Sequence, residues 1–226
     1  MSVKESAVFD RPYRAFLFDM DGTLLNSIAA AERVWAAWAR RHGLDVEAFL
    51  GTIHGVRAID TINRQALPGV DAQAEARGIT EAEIEDVEGV LAIPGAVAFL
   101  QSLPAHRWAV VTSAPKALAL RRMHAAGLAP PAVMITAEDV ASGKPDPACY
   151  LLGAQRLGVS IGECLVFEDA PVGIRAGEAA GADVLVVTSA HGEPMVTDHP
   201  TIASYDRVHV QCDAAGSLRL RPSTPA

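Results

Sequence analysis

The sequence predicts an α/β fold, a doubly wound parallel sheet with an α-helical insert after its first strand. Short, continuous apolar runs alternate with helical patterns along most of the chain. Such runs are typical of strands that are buried on both faces of a parallel sheet. The first two predicted strands end near Asp19 and Thr112, a separation far beyond the roughly 30 residues of one strand–helix–strand unit. Helical patterns fill the excess chain and predict the insert.

The elements of the predicted sheet follow one another in a regular order. Each of three predicted helices is followed by glycine, the residue that commonly ends a helix. Strands that alternate with helices in this way predict a doubly wound sheet. Near the C-terminus, two apolar segments flank residues 213–216 and predict a hairpin. The predicted strands are Ala15–Phe18, Trp108–Val111, Val133–Thr136, Cys164–Phe167 and Val184–Val187, and the predicted helices are Lys116–Ala126, Ala148–Leu157 and Val172–Ala180.

Residues 26–93 are predicted to form the helical insert. Ser27 is a residue type that caps helices, and it precedes a stretch with one apolar face. Thr80 and Glu83 match the capping-box pattern and predict the start of another helix. The predicted organisation is therefore an α/β core made of residues 1–25 and 94–226, interrupted by the insert.

The composition limits the partners and the compartment that we expect. The chain has 27 acidic and 19 basic side chains and a net charge of −8, whereas binding to nucleic acid depends on basic patches. Charged residues interrupt the first 30 positions, and no apolar stretch is long enough to span a membrane. Three cysteines without CxxC spacing favour a reducing compartment. We therefore expect a cytoplasmic protein that binds neither nucleic acid nor membranes.

Two pairs of carboxylates follow two of the predicted strands. Asp19 and Asp21 follow the first strand, and Glu168 and Asp169 follow a later one. Asp21-Gly22 alone is also a common turn sequence, but ligands of open α/β sheets bind at the carboxyl ends of the strands. Carboxylates held so close repel one another unless a cation or a proton lies between them. Together they form a set of hard oxygen ligands of the kind that binds Mg²⁺.

Hydroxyl groups and a lysine complete the set of candidate residues. Thr112 and Ser113 end another predicted strand, where hydroxyls and backbone amides suit phosphate oxygens, although capping of the next helix is the simpler explanation. Lys144 precedes a helix within Ser142-Gly143-Lys144-Pro145-Asp146-Pro147. The chain has three lysines in all, at positions 4, 116 and 144, which makes Lys144 conspicuous even though a solvated loop lysine would be ordinary.

Taken in order, these residues resemble the four motifs of the haloacid dehalogenase superfamily of phosphohydrolases. The resemblance extends from about Arg14 to Thr188, and the insert lies where subfamily IA of that superfamily has its C1 cap, so residues 26–93 are called the cap below. The motifs are Asp19-Met20-Asp21-Gly22-Thr23, Thr112, Lys144-Pro145 and Glu168-Asp169.

Three further segments resemble one branch of that superfamily, which contains glycerol-3-phosphatases, 2-deoxyglucose-6-phosphatases and related sugar phosphatases. The resemblance implies a small phosphorylated sugar or polyol as substrate, such as glycerol 3-phosphate or a hexose or deoxyhexose 6-phosphate. It leaves open which of these esters is used. The segments are His54-Gly55-Val56-Arg57, Trp108–Ser113 and Val166–Ile174.

The resemblance implies a mechanism through an aspartyl-phosphate. Asp19 would be the nucleophile, and Asp21 would protonate the leaving alkoxide and then take a proton from the hydrolytic water. Mg²⁺ would neutralise charge on the transferring group. Its implied ligands are Asp19, the backbone carbonyl of Asp21 and Asp169, with Glu168 bound directly or through water.

The remaining candidates would hold the substrate. The resemblance implies that Thr112, the Ser113 amide and Lys144 bind phosphoryl oxygens. His54 and Arg57 lie beside Gly55 in the cap, a position from which they could reach a sugar or polyol; a solvated surface arginine is an equally simple explanation for Arg57. We expect a monomer, because a C1 cap lets one chain close its own site.

Two alternatives to a hydrolase remain open. A β-phosphoglucomutase-like phosphomutase would have a histidine on the first cap helix and a lysine in the cap, but the first position is Ala31 and residues 26–93 contain no lysine. A non-catalytic phosphate-binding module would retain the fold without turnover.

Overall fold

The computed structural model describes residues 8–9, 11–190, 195–213 and 216–223. Its central sheet has six strands in the order β5-β4-β1-β6-β7-β8, and all five pairings are parallel. The predicted doubly wound sheet is confirmed, with β8 as an edge strand that the sequence analysis missed. The bounds are β1 Ala15–Phe18, β2 Leu25–Asn26, β3 Leu91–Ala92, β4 Trp108–Val111, β5 Met134–Ile135, β6 Cys164–Glu168, β7 Asp183–Val187 and β8 Thr201–Ile202.

Strand β1 lies at the switch point of the sheet. The chain passes from β1 to β4 and β5 on one side, and then returns to β6, β7 and β8 on the other side. Loops diverge at the carboxyl end of such a strand and leave a crevice, which is where open α/β sheets bind ligands. The topology therefore places the residues after β1, β4 and β6 around one crevice.

Helices cover both faces of the sheet, as the continuous apolar strands require. Phe16 and Phe18 point into an apolar cluster with α5 and α6, and Leu17 points into a second cluster with α7 and α8. The hairpin of β9 and β10 packs on the first cluster and confirms the predicted hairpin, although residues 214–215 of its turn lie outside the described residues. The bounds are α5 Ala96–Gln101, α6 Lys116–Ala125, α7 Ala148–Leu157, α8 Pro171–Ala180, β9 Val208–Cys212 and β10 Leu218–Pro222.

The cap has an apolar cluster of its own. Trp35, Trp38, Phe49 and Ile79 form part of this cluster, which draws on four helices. The chain enters and leaves the cap through β2 and β3, which pair as an antiparallel ribbon. This separate cluster and the paired linkers support the proposed division at residues 26 and 93. The cap helices are α1 Ile28–Arg41, α2 Val46–Leu50, α3 Ala58–Arg64 and α4 Ala72–Glu85.

The capping box predicted at Thr80 and Glu83 is wrong. Helix α4 begins earlier, at Ala72, where the Asp71 carboxylate accepts hydrogen bonds from two backbone amides of the first turn. The Thr80 hydroxyl donates to the Ala76 carbonyl inside the helix. A threonine followed three residues later by glutamate is compatible with a helix interior too, and the earlier aspartate provides the actual cap.

Ser27 precedes the first cap helix as predicted, but its side chain does not cap that helix. The amide of Ile28 donates instead to the Asn26 side chain. The Ser27 hydroxyl donates to Asp21 Oδ1 at 2.6 Å, so a residue expected to be structural contacts a candidate functional residue. In the described part of the chain, no helix has the length and apolar content that crossing a membrane requires.

Candidate active site

The crevice at the carboxyl edge of the sheet collects the predicted residues from three strands. Asp19 follows β1, Thr112 follows β4, and Glu168 and Asp169 end and follow β6. The Asp19 amide donates to the Phe167 carbonyl at 2.9 Å, which ties the first strand end to the third. All four side chains are buried. The structure thus brings together residues that are up to 150 positions apart in the sequence.

A tight turn after β1 lets Asp169 approach the backbone. Gly22 has φ +87°, and a Cβ atom there would lie 1.9 Å from Asp169 Oδ2. Any other residue would therefore be strained in its backbone and would also collide with the carboxylate. The Thr23 hydroxyl donates to Asp169 Oδ1 at 3.1 Å. The Asp-Gly sequence, which alone could have been an ordinary turn, here makes room for a second carboxylate.

Lys144 reaches the crevice from the loop between β5 and α7 and is fully buried. Its ammonium group donates to Asp19 Oδ1, to Glu168 Oε1 at 2.7 Å and to the Val111 carbonyl at 3.2 Å. Burial by itself would lower the pKa of Lys144, but the Asp19 and Glu168 carboxylates outweigh it and raise this pKa well above its usual range. Lys144 is therefore a permanently charged partner of both carboxylates and not a solvated loop residue.

Glu168 is held by four hydrogen bonds. Its Oε1 accepts from Lys144 and from the Tyr150 hydroxyl at 2.8 Å, and its Oε2 accepts from the amides of Asp169 and Ala170. A Cβ atom on Gly173 would lie 1.6 Å from Oε1, so helix α8 also fits closely against this carboxylate. These contacts use the acceptor sites that a carboxylate has.

Tyr150 is a residue of the site that the sequence analysis missed. It is fully buried on α7, and burial together with the Glu168 carboxylate raises the pKa of its phenol well above the usual range. The phenol therefore stays protonated and donates to Glu168. No sequence motif marks this residue, because its role depends on how α7 packs against β6.

The carboxylates of the crevice fit a divalent cation. One oxygen from each of Asp19, Glu168 and Asp169 lies within 4.8 Å of the others. Lys144 offsets one of these three negative charges. Burial raises the pKa of Asp19 well above its usual range, Lys144 opposes this shift, and the Glu168 and Asp169 carboxylates add to it. Excess buried negative charge among hard oxygen ligands is the chemistry that Mg²⁺ suits.

Two side chains donate hydrogen bonds to the same carboxylate oxygen of Asp21. Its Oδ1 accepts from the Ser27 hydroxyl and from Arg122 Nη1 at 2.9 Å. Among the described residues, its Oδ2 has no hydrogen-bond partner. Arg122, on core helix α6, also donates through Nη2 to Glu83 Oε1 at 3.1 Å on cap helix α4. Neither Arg122 nor Glu83 was identified from the sequence as a functional residue, because their contact crosses the boundary between core and cap.

Glu83 is a buried carboxylate with a perturbed pKa. Burial raises its pKa from 4.5 to about 7, Arg122 opposes this shift, and the Asp21 carboxylate adds to it. Burial would lower the pKa of Arg122, but Asp21 and Glu83 outweigh it and raise that pKa. The guanidinium therefore stays charged between two carboxylates.

We expect Glu83 to make the folded protein less stable as the pH rises. Between about pH 4.5 and 7 the folded protein retains a proton on Glu83 that the unfolded chain has lost, so the free energy of unfolding falls across this range. Glu83→Gln removes the titrating group and with it this fall in the free energy of unfolding. The unfolding free energy of the variant relative to wild type should therefore rise by up to about 3 kcal/mol from pH 4.5 to 8.

Urea denaturation of both proteins across this pH range measures the effect. Glu85→Gln is the matched control, because Glu85 is exposed on the same helix and the substitution changes charge identically. A difference between wild type and Glu83→Gln that does not vary with pH would contradict the expectation.

The cap contacts the crevice through the loop of residues 51–57. The Ser113 hydroxyl donates to the Gly55 carbonyl at 2.8 Å. His54 lines the cavity between cap and core, and its Nε2 lies 3.4 Å from a carboxylate oxygen of Glu32. The loop thus places one of the two predicted cap residues at the cavity.

Arg57 has a different position from His54. Its guanidinium donates to both carboxylate oxygens of Asp60 and to the backbone carbonyls of Val140 and Ala141 in a core loop. Arg57 does not line the cavity that holds Asp19 and Asp21. The arginine is therefore neither a freely solvated side chain nor part of that cavity; it joins the cap to the core.

One cavity unites these groups between the cap and the sheet edge. Asp19, Asp21, Thr112, Ser113 and Asp169 line it from the core. Its cap residues include Ile28, Ala31, Trp35, Ile53, His54 and Glu83. The arrangement offers a buried carboxylate beside a lysine, a second carboxylate with one open oxygen, and a partly apolar chamber above them.

Comparisons with known proteins identify the family. The family model described as haloacid dehalogenase-like hydrolase matches residues 13–181. The chain is 45% identical to hexitol phosphatase A of Escherichia coli over 190 residues, 82% of this chain and 88% of the relative. It is 34% identical to glycerol-1-phosphate phosphohydrolase 2 of Saccharomyces cerevisiae over 186 residues, 77% of this chain and 74% of the relative.

A solved structure agrees with the sequence relatives. The structure of a hydrolase from Pseudomonas syringae superposes with a TM-score of 0.69 at 27% identity, over 81% of this chain and 88% of that one. The family match covers the core motifs and the cap together, and the sheet order and the crevice residues agree with it. This chain belongs to the haloacid dehalogenase-like hydrolases.

Proposed function

We propose that this protein is a Mg²⁺-dependent phosphatase that hydrolyses the phosphate monoester of a small sugar or polyol. The observation that carries the proposal is the buried Asp19 carboxylate, which contacts Lys144, lies close to the Asp169 carboxylate and lines one cavity together with Asp21. Relatives that span most of the chain are named for hexitol phosphate and glycerol phosphate hydrolysis.

Asp19 acts as the nucleophile in this proposal. One carboxylate oxygen forms a bond to phosphorus while the bond from phosphorus to the ester oxygen breaks, which leaves an aspartyl-phosphate. The Lys144 ammonium, in contact with Asp19 Oδ1, favours the ionised form of the attacking carboxylate and opposes the rise in its pKa that burial causes. The same ammonium lies where it can balance the charge of the transferred phosphoryl group.

Asp21 moves the protons. Oδ1 is fixed by Ser27 and Arg122, so Oδ2 is the oxygen that holds the proton for the leaving alkoxide. After the alcohol departs, the Asp21 carboxylate takes a proton from the water that attacks phosphorus. Phosphate is released, Asp19 is regenerated as a carboxylate, and Asp21 is again protonated for the next cycle.

Asp19, Asp169 and the backbone carbonyl of Asp21 would hold Mg²⁺ in this proposal. When bound, the ion supplies positive charge that stabilises the developing negative charge of the transferring group. Glu168 already accepts four hydrogen bonds. We therefore assign this carboxylate to the positioning of Lys144 and to adding negative charge next to the metal site. Direct ligation by Glu168 stays a prediction.

Thr112, the Ser113 amide and Lys144 would bind the phosphoryl oxygens. Thr112 and Ser113 line the cavity beside Asp19, while the Ser113 hydroxyl is used by the Gly55 carbonyl of the cap. His54 lines the cavity from the cap, and we assign it to the sugar or polyol part of the substrate. Arg57 is assigned to cap closure, because its contacts are with Asp60 and a core loop.

The structure adds one observation on the phosphomutase alternative. Ala31, which occupies the position where such mutases have a histidine, lines the cavity. A methyl group there cannot shuttle a proton, so hydrolysis remains the preferred reaction. We also propose that the enzyme is a monomer, because its own cap loop contacts its own core at the site. The three free cysteines fit the proposed cytoplasmic location.

Phosphate release from a panel of hexitol, hexose, deoxyhexose and glycerol phosphates, with and without Mg²⁺, tests the proposal. We expect turnover that requires Mg²⁺, is lost in EDTA and returns when Mg²⁺ is added back, with kcat/KM highest for one polyol or sugar phosphate. Conversion of a hexose 1-phosphate to the 6-phosphate without phosphate release would favour the mutase. Binding of Mg²⁺ without turnover of any ester would favour the non-catalytic module.

A further inference from the structure

We propose that Arg122 and Glu83 together bind the hydroxyl groups of the substrate's leaving alcohol and reject leaving groups that carry a carboxylate. The inference rests on the proposed function and extends it to the substrate class. It assigns specificity to a pair that forms across the boundary between core and cap, with the arginine on α6 and the glutamate on α4.

The position of the pair follows from its contact with Asp21. Arg122 Nη1 lies 2.9 Å from Asp21 Oδ1, and Asp21 is the group that protonates the ester oxygen. The leaving alcohol is attached at this oxygen, so its hydroxyl groups can reach the part of the cavity next to Arg122. Both Arg122 and Glu83 line this same cavity.

Arg122 has bonding capacity that the protein does not use. Its side chain is 5% exposed, and its Nε is a buried nitrogen without a hydrogen-bond partner among the described residues. A buried donor that stays unpaired costs stability. A hydroxyl oxygen of a bound polyol could accept from this guanidinium, which would give the arginine a partner in the complex that it lacks in the protein alone.

The charges of the group set the class of ligand. When Asp21 holds its proton for the leaving alkoxide, the charges that face the substrate here are those of the Arg122 guanidinium and the Glu83 carboxyl, whose pKa of about 7 leaves it ionised at higher pH. A neutral hydroxyl can accept from the guanidinium and donate to the Glu83 carboxyl at once. A carboxylate has no proton to donate to Glu83, and it meets the ionised form of Glu83 as a like charge, which disfavours binding of the acid.

The apolar residues of the cavity suit the same ligand. Ile28, Ala31 and Trp35 come from cap helix α1 and line the same cavity as the pair. The C–H groups of a polyol can pack on these side chains while its hydroxyls reach Arg122 and Glu83. Because α1 and α4 belong to the cap and α6 to the core, this subsite exists when the cap is closed.

Two matched pairs of esters test the inference. Glycerol 3-phosphate and 3-phosphoglycerate differ in one CH₂OH group against one carboxylate, as do glucitol 6-phosphate and 6-phosphogluconate. The ratio of kcat/KM for the alcohol over the acid is measured at pH 8, where Glu83 is ionised, for wild type, Glu83→Gln and the matched control Glu85→Gln. Both kcat/KM values of a ratio are measured on the same preparation. Any unfolded fraction lowers the two values equally and does not change the ratio.

Wild type should prefer the alcohol in each pair that it hydrolyses, and Glu83→Gln should lower this preference by about tenfold or more. Glu85→Gln should leave it unchanged. Equal ratios in wild type and Glu83→Gln would overturn the inference and leave the phosphatase intact. Hydrolysis of p-nitrophenyl phosphate but of none of the four esters would overturn it too. If wild type also leaves p-nitrophenyl phosphate intact in the presence of Mg²⁺, the proposed function fails first.

Discussion

Asp19→Asn should abolish phosphate release, with a fall in kcat on the order of 10⁴-fold or more, as is usual when a nucleophile is removed. An amide oxygen is a poor nucleophile towards phosphorus, and no second carboxylate of the crevice can substitute. Asp169 is packed against Gly22, and Glu168 is held by Lys144, Tyr150 and backbone amides. The loss is measured as phosphate release with saturating substrate and Mg²⁺.

The same variant should remain folded. Burial and neighbouring carboxylates make an ionised Asp19 costly, so the neutral amide relieves repulsion and Lys144 keeps Glu168 as its partner. Thermal unfolding without Mg²⁺ should therefore occur at a temperature equal to or above that of wild type. The rise in unfolding temperature that Mg²⁺ produces in wild type should shrink in the variant, because one ligand has been lost.

Asp45→Asn is a suitable control for the charge change. Asp45 is exposed, and its side chain caps α2 by accepting from the Ala48 amide, a contact that asparagine makes equally well. The control should retain wild-type turnover and wild-type stabilisation by Mg²⁺. An active Asp19→Asn protein would refute the assignment of the nucleophile.

Residues that stand at strand ends could be predicted from the sequence. Asp19, Thr112 and Asp169 each follow a short apolar run, and parallel strands place such positions at one edge of the sheet. Lys144 lies in a loop, and its position was implied by the resemblance to a family motif. The structure adds the contacts that bury Lys144 between two carboxylates.

Residues whose roles depend on packing between elements could not be predicted. Glu83 matched a local capping pattern, yet its partner Arg122 lies 39 residues further along the chain on a core helix. Tyr150 has no motif around it and gains its role from the packing of α7 on β6. Arg57 was assigned from its neighbours in sequence, while its actual contacts are carbonyls of residues 140 and 141. Local patterns do not encode distances between helices.

Lys144→Met should abolish turnover and also destabilise the protein, by about 3–5 kcal/mol, the usual cost of breaking a buried ion pair by removing one partner. Methionine fills a similar volume but leaves the buried carboxylates of Asp19 and Glu168 without their ammonium partner. Lys116→Met, at an exposed position on α6, is the matched control and should change neither property. Urea denaturation and phosphate release measure both effects.

The destabilisation should depend on pH with a defined sign. Without Lys144, which opposes the rise, the pKa of the buried Asp19 carboxyl rises further in the folded state, so the folded protein binds a proton that the unfolded chain has lost. Stability is then highest at low pH and falls as the pH rises through the carboxyl range. The difference between Lys144→Met and wild type should accordingly be larger at pH 8 than at pH 5. An equal difference in unfolding free energy at pH 5 and pH 8 would mean that the destabilisation comes from lost packing and not from the buried charges.

The double variant Lys144→Met/Glu168→Gln separates the two roles of the lysine. Glu168→Gln removes one of the unpaired buried charges and keeps an acceptor oxygen for the Tyr150 hydroxyl, but its NH₂ group no longer accepts from the Asp169 and Ala170 amides. Only part of the lost stability should therefore return. Turnover should not return, because the phosphoryl group and Asp19 still lack a positive partner. A double variant that regains both stability and activity would make Lys144 a structural counter-ion alone and would remove it from the catalytic mechanism.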